Sequence, residues 1–437
     1  MSDDERSGDK RAEGEATEES TSSPTSHRNL NALVDRFWGA RRGSAVKVTT
    51  GDLPPTHTLA EEYVVLPSLA KARFLVPTGA PGAVAAAFSA HLSTVSPQSR
   101  VYGRLIAGAF RAGVGERIFR DRLRVGTERT VPVERRREHL VLAELAAQLD
   151  TSDLVAIHPV RRFTPNAKPT VRLFTRSGAV VGYAKMGWSP PTRQLVQNEG
   201  AALAALGGGF PGLTVPEPLS AGRWQGSDGP DLEYLVTTAL PSGLRPWRGR
   251  PETDAELLLA IAECGTRTAG AVASSTYQRT VDERLEAAQG RQPEEVAALR
   301  RWSARLRERE DVLEFGRWHG DWISWNLAAT PAGGAAWDWE YSAPEVPVGF
   351  DVMHWHFQHR LAAAGGTLDT ASQALTEGLP SLGALGVPRQ SWSLVGELYV
   401  LEMLVRAVGL AAGGAGWNPK LHPRLVTFAL ERATASS

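Results

Sequence analysis

Residues 318–341 read WHGDWISWNLAATPAGGAAWDWEY and hold His319, Asp321, Asn326, Asp338 and Glu340 within one short stretch. LAAT and AAWDW read as two short strands around PAGG, a run of residues that favour chain reversal. A hairpin centred near Ala332 sets Asn326 directly across from Asp338, where opposed Cβ atoms stand about 4.5 to 5.5 Å apart. An amide oxygen and a carboxylate are hard donors, and facing each other they suit Mg2+. That ion takes a few protein oxygens and completes its octahedron with water and substrate phosphates. Asp321 lies five residues before Asn326, on the loop leading into the hairpin. From there it can accept or orient the proton of an attacking hydroxyl while the metal neutralises charge on a transferred phosphoryl group.

The order His-Gly-Asp, four residues, Asn, then Asp-x-Glu resembles the protein-kinase-like phosphotransferases of small molecules, among them aminoglycoside phosphotransferases and choline and ethanolamine kinases. Kinase catalytic loops share the aspartate-to-asparagine spacing. The continuation DWEYSAPEVPVGFDVMHW is similar to the choline and ethanolamine kinase region. The resemblance implies an α+β, two-lobed protein-kinase-like fold, with a small β-rich N-lobe and a larger helical C-lobe. It implies Asp321 as catalytic base with His319 in support, and Asn326, Asp338 and Glu340 as metal ligands, Glu340 either directly or through water. It makes Asp351 a structural anchor for the catalytic loop. The cofactors implied are ATP and Mg2+, and the partner a small-molecule hydroxyl substrate. A protein kinase fits less well, because His-Gly-Asp and Asp-Trp-Glu stand where that group has His-Arg-Asp and Asp-Phe-Gly.

Upstream, LVAIHPV, TVRLFTR and AVVGYAKMG are strand-like runs, TRQLVQNEGAALAALG is helical, and LEYLVTTAL is a further strand. A kinase-like site needs a cation on the nucleotide phosphates, held by a helix carboxylate. Lys185 and Glu199 match the family's pair in order and separation. In the resemblance, backbone groups of the hinge between Thr238 and Leu240 bond adenine. The loop RRFTPNAKP lacks the glycines that let amides approach phosphates. Thr164, Asn166 and Lys168 stand there either as substitute polar contacts or as plain turn residues. That departure keeps open a second reading, a catalytically silent, pseudokinase-like module that binds nucleotide without transferring phosphate.

Other patterns are set aside. GGGFPG, at 207–212, fits a dinucleotide fingerprint literally but follows a helix, so it reads as a helix terminator. His354, His356 and His359 fall on different sides of a helix without a cysteine, so they read as packing against the catalytic loop in preference to a zinc site. The tryptophans around the site and Tyr341 could cage an ammonium, but most read as core.

Working outward, residues 1–29 are polar, charged and rich in Ser and Thr, which predicts a disordered tail. Residues 30–150 read as an α/β region of unassigned role, with Arg104, Arg111, Arg117, Arg120 and Arg122 on a cationic helical stretch whose face is read as solvated. The N-lobe is assigned to 151–245 and the C-lobe to 246–437. Equal numbers of acidic and basic residues, 48 each, point to neither nucleic acid nor an anionic membrane as partner. A single cysteine, Cys264, excludes a disulfide framework, and the expected location is the cytoplasm.

Overall fold

The computed structural model describes residues 24–39, 44–90, 97–162, 166–227, 231–365 and 368–414. Most of the expected tail, and Thr164, lie outside the described residues. The first helix, α1 (Pro24–Phe37), begins inside the stretch expected to be tail, because Leu30, Leu33 and Phe37 give it an apolar stripe that is buried. Three strands follow, β1 (Val46–Thr49), β2 (His57–Leu66) and β3 (Phe74–Pro77). Then come helices α2 (Pro81–Ala90), α3 (Pro97–Arg111) and α4 (Gly115–Ile118), strand β4 (Arg122–Glu128) and helix α5 (Val141–Gln148). The cationic stretch read as wholly helical therefore ends in a strand. Its Arg104, Arg111, Arg117 and Arg120 are exposed.

The strands anticipated upstream form as β5 (Leu154–Pro159), β6 (Thr170–Thr175) and β7 (Val180–Gly187), followed by helix α6 (Pro190–Leu206). Short strands β8 (Gly209–Phe210) and β9 (Leu213–Thr214) precede β10 (Pro218–Gln225) and β11 (Asp231–Thr237). Nine strands form one antiparallel sheet in the order β1-β4-β2-β3-β5-β6-β7-β11-β10. The early region thus adds its strands to the edge of β5, where Phe74 and Leu75 pair with Pro159 and His158. One apolar core spans both parts, running from Leu33 and Trp38 to Met186 and Val236.

Helices dominate beyond β12 (Arg245–Pro246): α7 (Ala255–Glu263), α8 (Thr276–Ala288) and α9 (Pro293–Arg307). The apolar run from 254 to 273 divides into α7 and strand β13 (Thr268–Ala271). Strands β14 (Val312–Trp318), β15 (Leu327–Thr330), β16 (Gly333–Ala336) and β17 (Ala343–Pro347) carry and flank the 318–341 stretch. They are followed by α10 (Phe350–Ala364), α11 (Leu368–Gly378) and α12 (Trp392–Ala412). The fold is α+β and two-lobed: a sheet lobe, and a helical lobe with its own core built around Trp302, Phe350 and Leu401. No described helix is long and apolar enough to cross a membrane.

Candidate active site

The hairpin forms, but one residue out of the expected register. Leu327 pairs with Ala336 and Thr330 with Gly333, so the turn is Pro331-Ala332 and the residue across from Asn326 is Trp337. Trp337 donates its N–H to the Asn326 carbonyl at 3.1 Å. The expected opposition of Asn326 and Asp338 is thereby corrected. The glycines do not build the turn. A Cβ on Gly333 would lie 2.4 Å from the Gly212 carbonyl oxygen, so Gly333 serves the close approach of β16 to the segment carrying β8 and β9.

Immediately beyond β16 the chain leaves the ladder at Asp338, whose φ is +71°, a left-handed conformation that few residues other than glycine adopt. Its carboxylate meets Lys185 Nζ at 2.6 Å, joining the helical lobe to the sheet lobe. Lys185, on β7, also donates to both oxygens of Glu199, at 2.7 and 2.6 Å. Glu199 is brought there by α6, which starts at the Ser189 cap, reinforced by Thr192, and stops at left-handed Gly207. It lies on the buried face with Leu195, Val196, Ala202 and Leu203, and is 4% exposed. GGGFPG ends this helix.

Glu340 is buried and sits 3.0 Å from Lys168 Nζ, on the loop between β5 and β6. Carboxylate oxygens of Glu199, Asp338 and Glu340 lie within 4.8 Å of one another. Burial and then the Asp338 charge push Glu340 up to about 7, while the two lysines oppose the rise. Burial would also raise Asp338, but the charge and hydrogen bond of Lys185, with the Lys168 charge, together outweigh it and hold that carboxyl below its usual range. Three hard carboxylates in one pocket are a donor set that fits Mg2+ or Ca2+.

The catalytic loop is tied at every residue of His-Gly-Asp. Asp351, at the start of α10, accepts the N–H groups of His319 and Gly320 at 2.7 and 3.0 Å, the anchoring that the resemblance implied. Gly320 has φ +86°, and a Cβ there would come 2.3 Å from the Tyr341 carbonyl oxygen. His319 Nδ1 accepts the Asp321 N–H at 3.1 Å, which leaves Nε2–H to donate to the Trp337 carbonyl at 3.1 Å. Burial lowers the His319 pKa to about 4, so the ring is neutral near pH 7.

Asp321 is held from both sides. Asn326 donates its amide N–H to Oδ2 at 2.8 Å, and His354 Nε2 stands 2.8 Å from Oδ1. An ionised carboxylate only accepts, so Nε2 of His354 carries the proton and Nδ1 accepts from the Tyr399 hydroxyl at 3.1 Å. Burial opposes ionisation of Asp321, but the His354 hydrogen bond together with the positive charge around it, Arg406 included, more than offsets it and the carboxyl stays below the ordinary range. The Asn326 amide oxygen, a hard donor, has no hydrogen-bond partner among the described residues.

The other two histidines point elsewhere: His356 to Ser381, and His359 to Ser324. Among the described residues these rings form no metal-binding group. At the inter-lobe connection, Thr238 donates its N–H to the Glu217 carbonyl at 2.8 Å, so of its two backbone groups that one is already engaged. Leu240 has no hydrogen-bonding partner for its backbone among the described residues. Of the candidate loop contacts, Lys168 enters the site and also donates to the Asn166 carbonyl at 3.2 Å.

From the sequence Lys168 has no assigned ionic partner, His354 is assigned only to packing, and Arg406 has no role at the site. The signal for His354 is its spacing: three residues beyond Asp351, it shares that residue's face of α10. Trp318, Trp322 and Trp339 are core, whereas Trp325 on the catalytic loop is 52% exposed.

No family model matches the sequence, and no curated protein does. Among solved structures the chain is similar to amicoumacin kinase hAmiN in complex with AMP-PNP, Ca2+ and Ami, at 12% identity and a TM-score of 0.37, over 62% of this chain and 86% of that one. It is similar to choline kinase LicA from Streptococcus pneumoniae at 11% identity and a TM-score of 0.41, over 68% and 98%. A thermostable mutant of aminoglycoside phosphotransferase APH(4)-Ia, bound to ADP and hygromycin B, matches at 13% identity and a TM-score of 0.35, over 68% and 99%. At such values the likeness extends to layout alone, and what the site can do rests on its own residues.

Proposed function

We propose that the chain is an ATP- and divalent-metal-dependent phosphotransferase acting on the hydroxyl of a small molecule. The observation that carries this reading is Asp321, a partly exposed carboxylate fixed at both oxygens by His354 and Asn326, close enough to the Lys185–Glu199–Asp338 cluster for its charge to act on Asp338. Asp321 orients the acceptor hydroxyl and takes its proton as the bond to phosphorus forms. His354, neutral and fixed as the Nε2–H tautomer through Tyr399, keeps the carboxylate aimed. Lys185, positioned by Glu199, supplies positive charge for nucleotide phosphates. Asp338 and Glu340, with the amide oxygen of Asn326, would hold the metal. When bound, it would neutralise charge on the transferred group.

Lys168 takes the place that glycines occupy in a phosphate-covering loop, offering a side-chain cation in place of backbone amides. In the nucleotide-free protein both lysines rest on carboxylates of the same pocket. Bound Mg-ATP would take the place of Asp338 on Lys185 and of Glu340 on Lys168, while Glu199 keeps Lys185 in position.

The test joins Mg-ATP thermal shift to ADP release over a panel of amino alcohols, sugars, sugar acids and aminoglycosides. The reading expects stabilisation by Mg-ATP and turnover of at least one acceptor. Asp321→Asn should keep the thermal shift and lower kcat by about 100-fold or more. Stabilisation with no turnover of any acceptor favours the silent nucleotide-binding module. Undiminished turnover in Asp321→Asn removes the base assignment.

A further inference from the structure

The two halves of the cleft differ in charge. On the nucleotide side, Lys168 and Lys185 face Glu199, Asp338 and Glu340. On the acceptor side stands Arg406, one turn beyond Glu402 on α12. Its guanidinium donates to the Gly320 carbonyl at 3.0 Å, next to Asp321, and lies over the rings of Tyr341 and Trp318 at 4.0 and 5.1 Å. No carboxylate forms an ion pair with it among the described residues. The nearby acids are otherwise engaged: Asp321 with Asn326 and His354, Asp351 with the loop N–H groups, and Glu402 with Arg284.

A half-buried cation that feels the Asp321 and Asp351 carboxylates only from beyond ion-pair distance has its desolvation incompletely offset. Here it also faces the catalytic loop, and its remaining donors form a planar fork that matches a carboxylate or phosphate. Because the guanidinium already covers the face of Tyr341, an ammonium entering that aromatic cluster would meet a like charge where a cage would need an open ring. We infer that the acceptor alcohol carries an oxyanion, a carboxylate or phosphate, near the hydroxyl that receives the phosphoryl group, and that Arg406 binds it. This inference rests on the phosphotransferase reading of the site. Trp325, half-exposed and lying against His359, offers the rest of such a molecule an apolar shelf.

ADP release with Mg-ATP is measured over matched acceptor sets: sugar acids and hydroxy acids, sugar and alcohol phosphates, the neutral parent alcohols, and their amino counterparts. The highest kcat/KM is expected in one of the two anionic sets, and which set it is identifies the oxyanion. Arg406→Gln should raise KM for that set by about 10- to 100-fold while the neutral parents change little, and Arg406→Lys should recover part of the loss. An arginine that merely steadies Gly320 would lower turnover of every set by the same factor and leave their ranking unchanged. The inference is overturned if the amino set ranks first, if neutral parents equal the anionic sets, or if Arg406→Gln keeps the ranking. Should Arg406→Gln not fold, the ranking of the unmodified protein decides. Preference for amines leaves the phosphotransferase reading standing, whereas no turnover of any set removes both.

Discussion

At Gly320 two constraints coincide. The left-handed backbone and the 2.3 Å approach of any Cβ to the Tyr341 carbonyl both exclude a side chain. Gly320→Ala should therefore distort the loop between His319 and Asp321 and cost about 2 kcal/mol or more of stability, read by urea unfolding. A variant as stable as the original would mean that the loop relaxes freely. His354 acts on the same loop through its side chain. His354→Leu removes the donor to Asp321 and should lower kcat by about 100-fold or less with little change in the KM for ATP, while His354→Asn should restore part of the loss. Equal kcat in all three proteins would reduce His354 to a packing residue. The order of Asp321, Asn326 and Asp338 in the sequence marked them as one group, and the structure sets Asn326 against Asp321 and Asp338 against Lys185. Arg406 was not legible. It reaches the loop from a helix 86 positions away in sequence, a contact that tertiary packing alone creates.

Secondary structure was read best where one period dominates. Strands β5, β6, β7 and β11 and helices α6, α9 and α12 have clear apolar patterns. Strand β10 alternates half-buried and exposed residues to its Trp224, and lacks a run that would set it apart from a loop. The hairpin shows how a small error propagates: a centre between Pro331 and Ala332 in place of one at Ala332 moves the partner of Asn326 by one position, and a period of two then turns Asp338 to the other face. The left-handed φ of Asp338 redirects the chain in a way that no strand pattern announces. Strand β5 carries a separate consequence. His158 is buried among Phe37, Trp38 and Tyr63, with ring centroids 4.8 to 5.3 Å away. Burial depresses its pKa from 6.5 to about 3. Between those values the unfolded chain binds a proton that the folded chain does not, so stability is full above pH 6.5 and falls as the medium is acidified. From pH 7 to pH 5 this group should remove about 2 kcal/mol, and His319, depressed to about 4, acts in the same direction. Urea unfolding at both pH values should show His158→Phe losing less stability on acidification than the unmodified protein. An identical loss would mean that His158 is solvated or charged in the fold.

In the whole molecule, the sheet lobe does not end where the kinase-like pattern begins. Phe74 and Leu75 of β3 hydrogen-bond along the edge of β5, and a single apolar core takes Leu33, Phe37, Trp38, Val65 and Leu123 from one part and Leu173, Met186, Trp224 and Val236 from the other. Removing residues 1–150 would uncover an edge strand and half of that core together, and exposed edges of this kind pair with other chains. The sequence could not reveal this continuity, since strand runs carry no sign of which edge they will join. We propose that residues 30–150 are an integral part of the sheet that positions Lys185 and Lys168, and not a separately folding appendage. A chain beginning at residue 151 should accordingly be recovered as aggregates or elute as multimers in size-exclusion chromatography, and Mg-ATP should give it no thermal shift. A monomeric 151–437 with a cooperative transition and the shift of the full chain would show the opposite, that the kinase-like pair of lobes folds alone and that β3 merely docks on it.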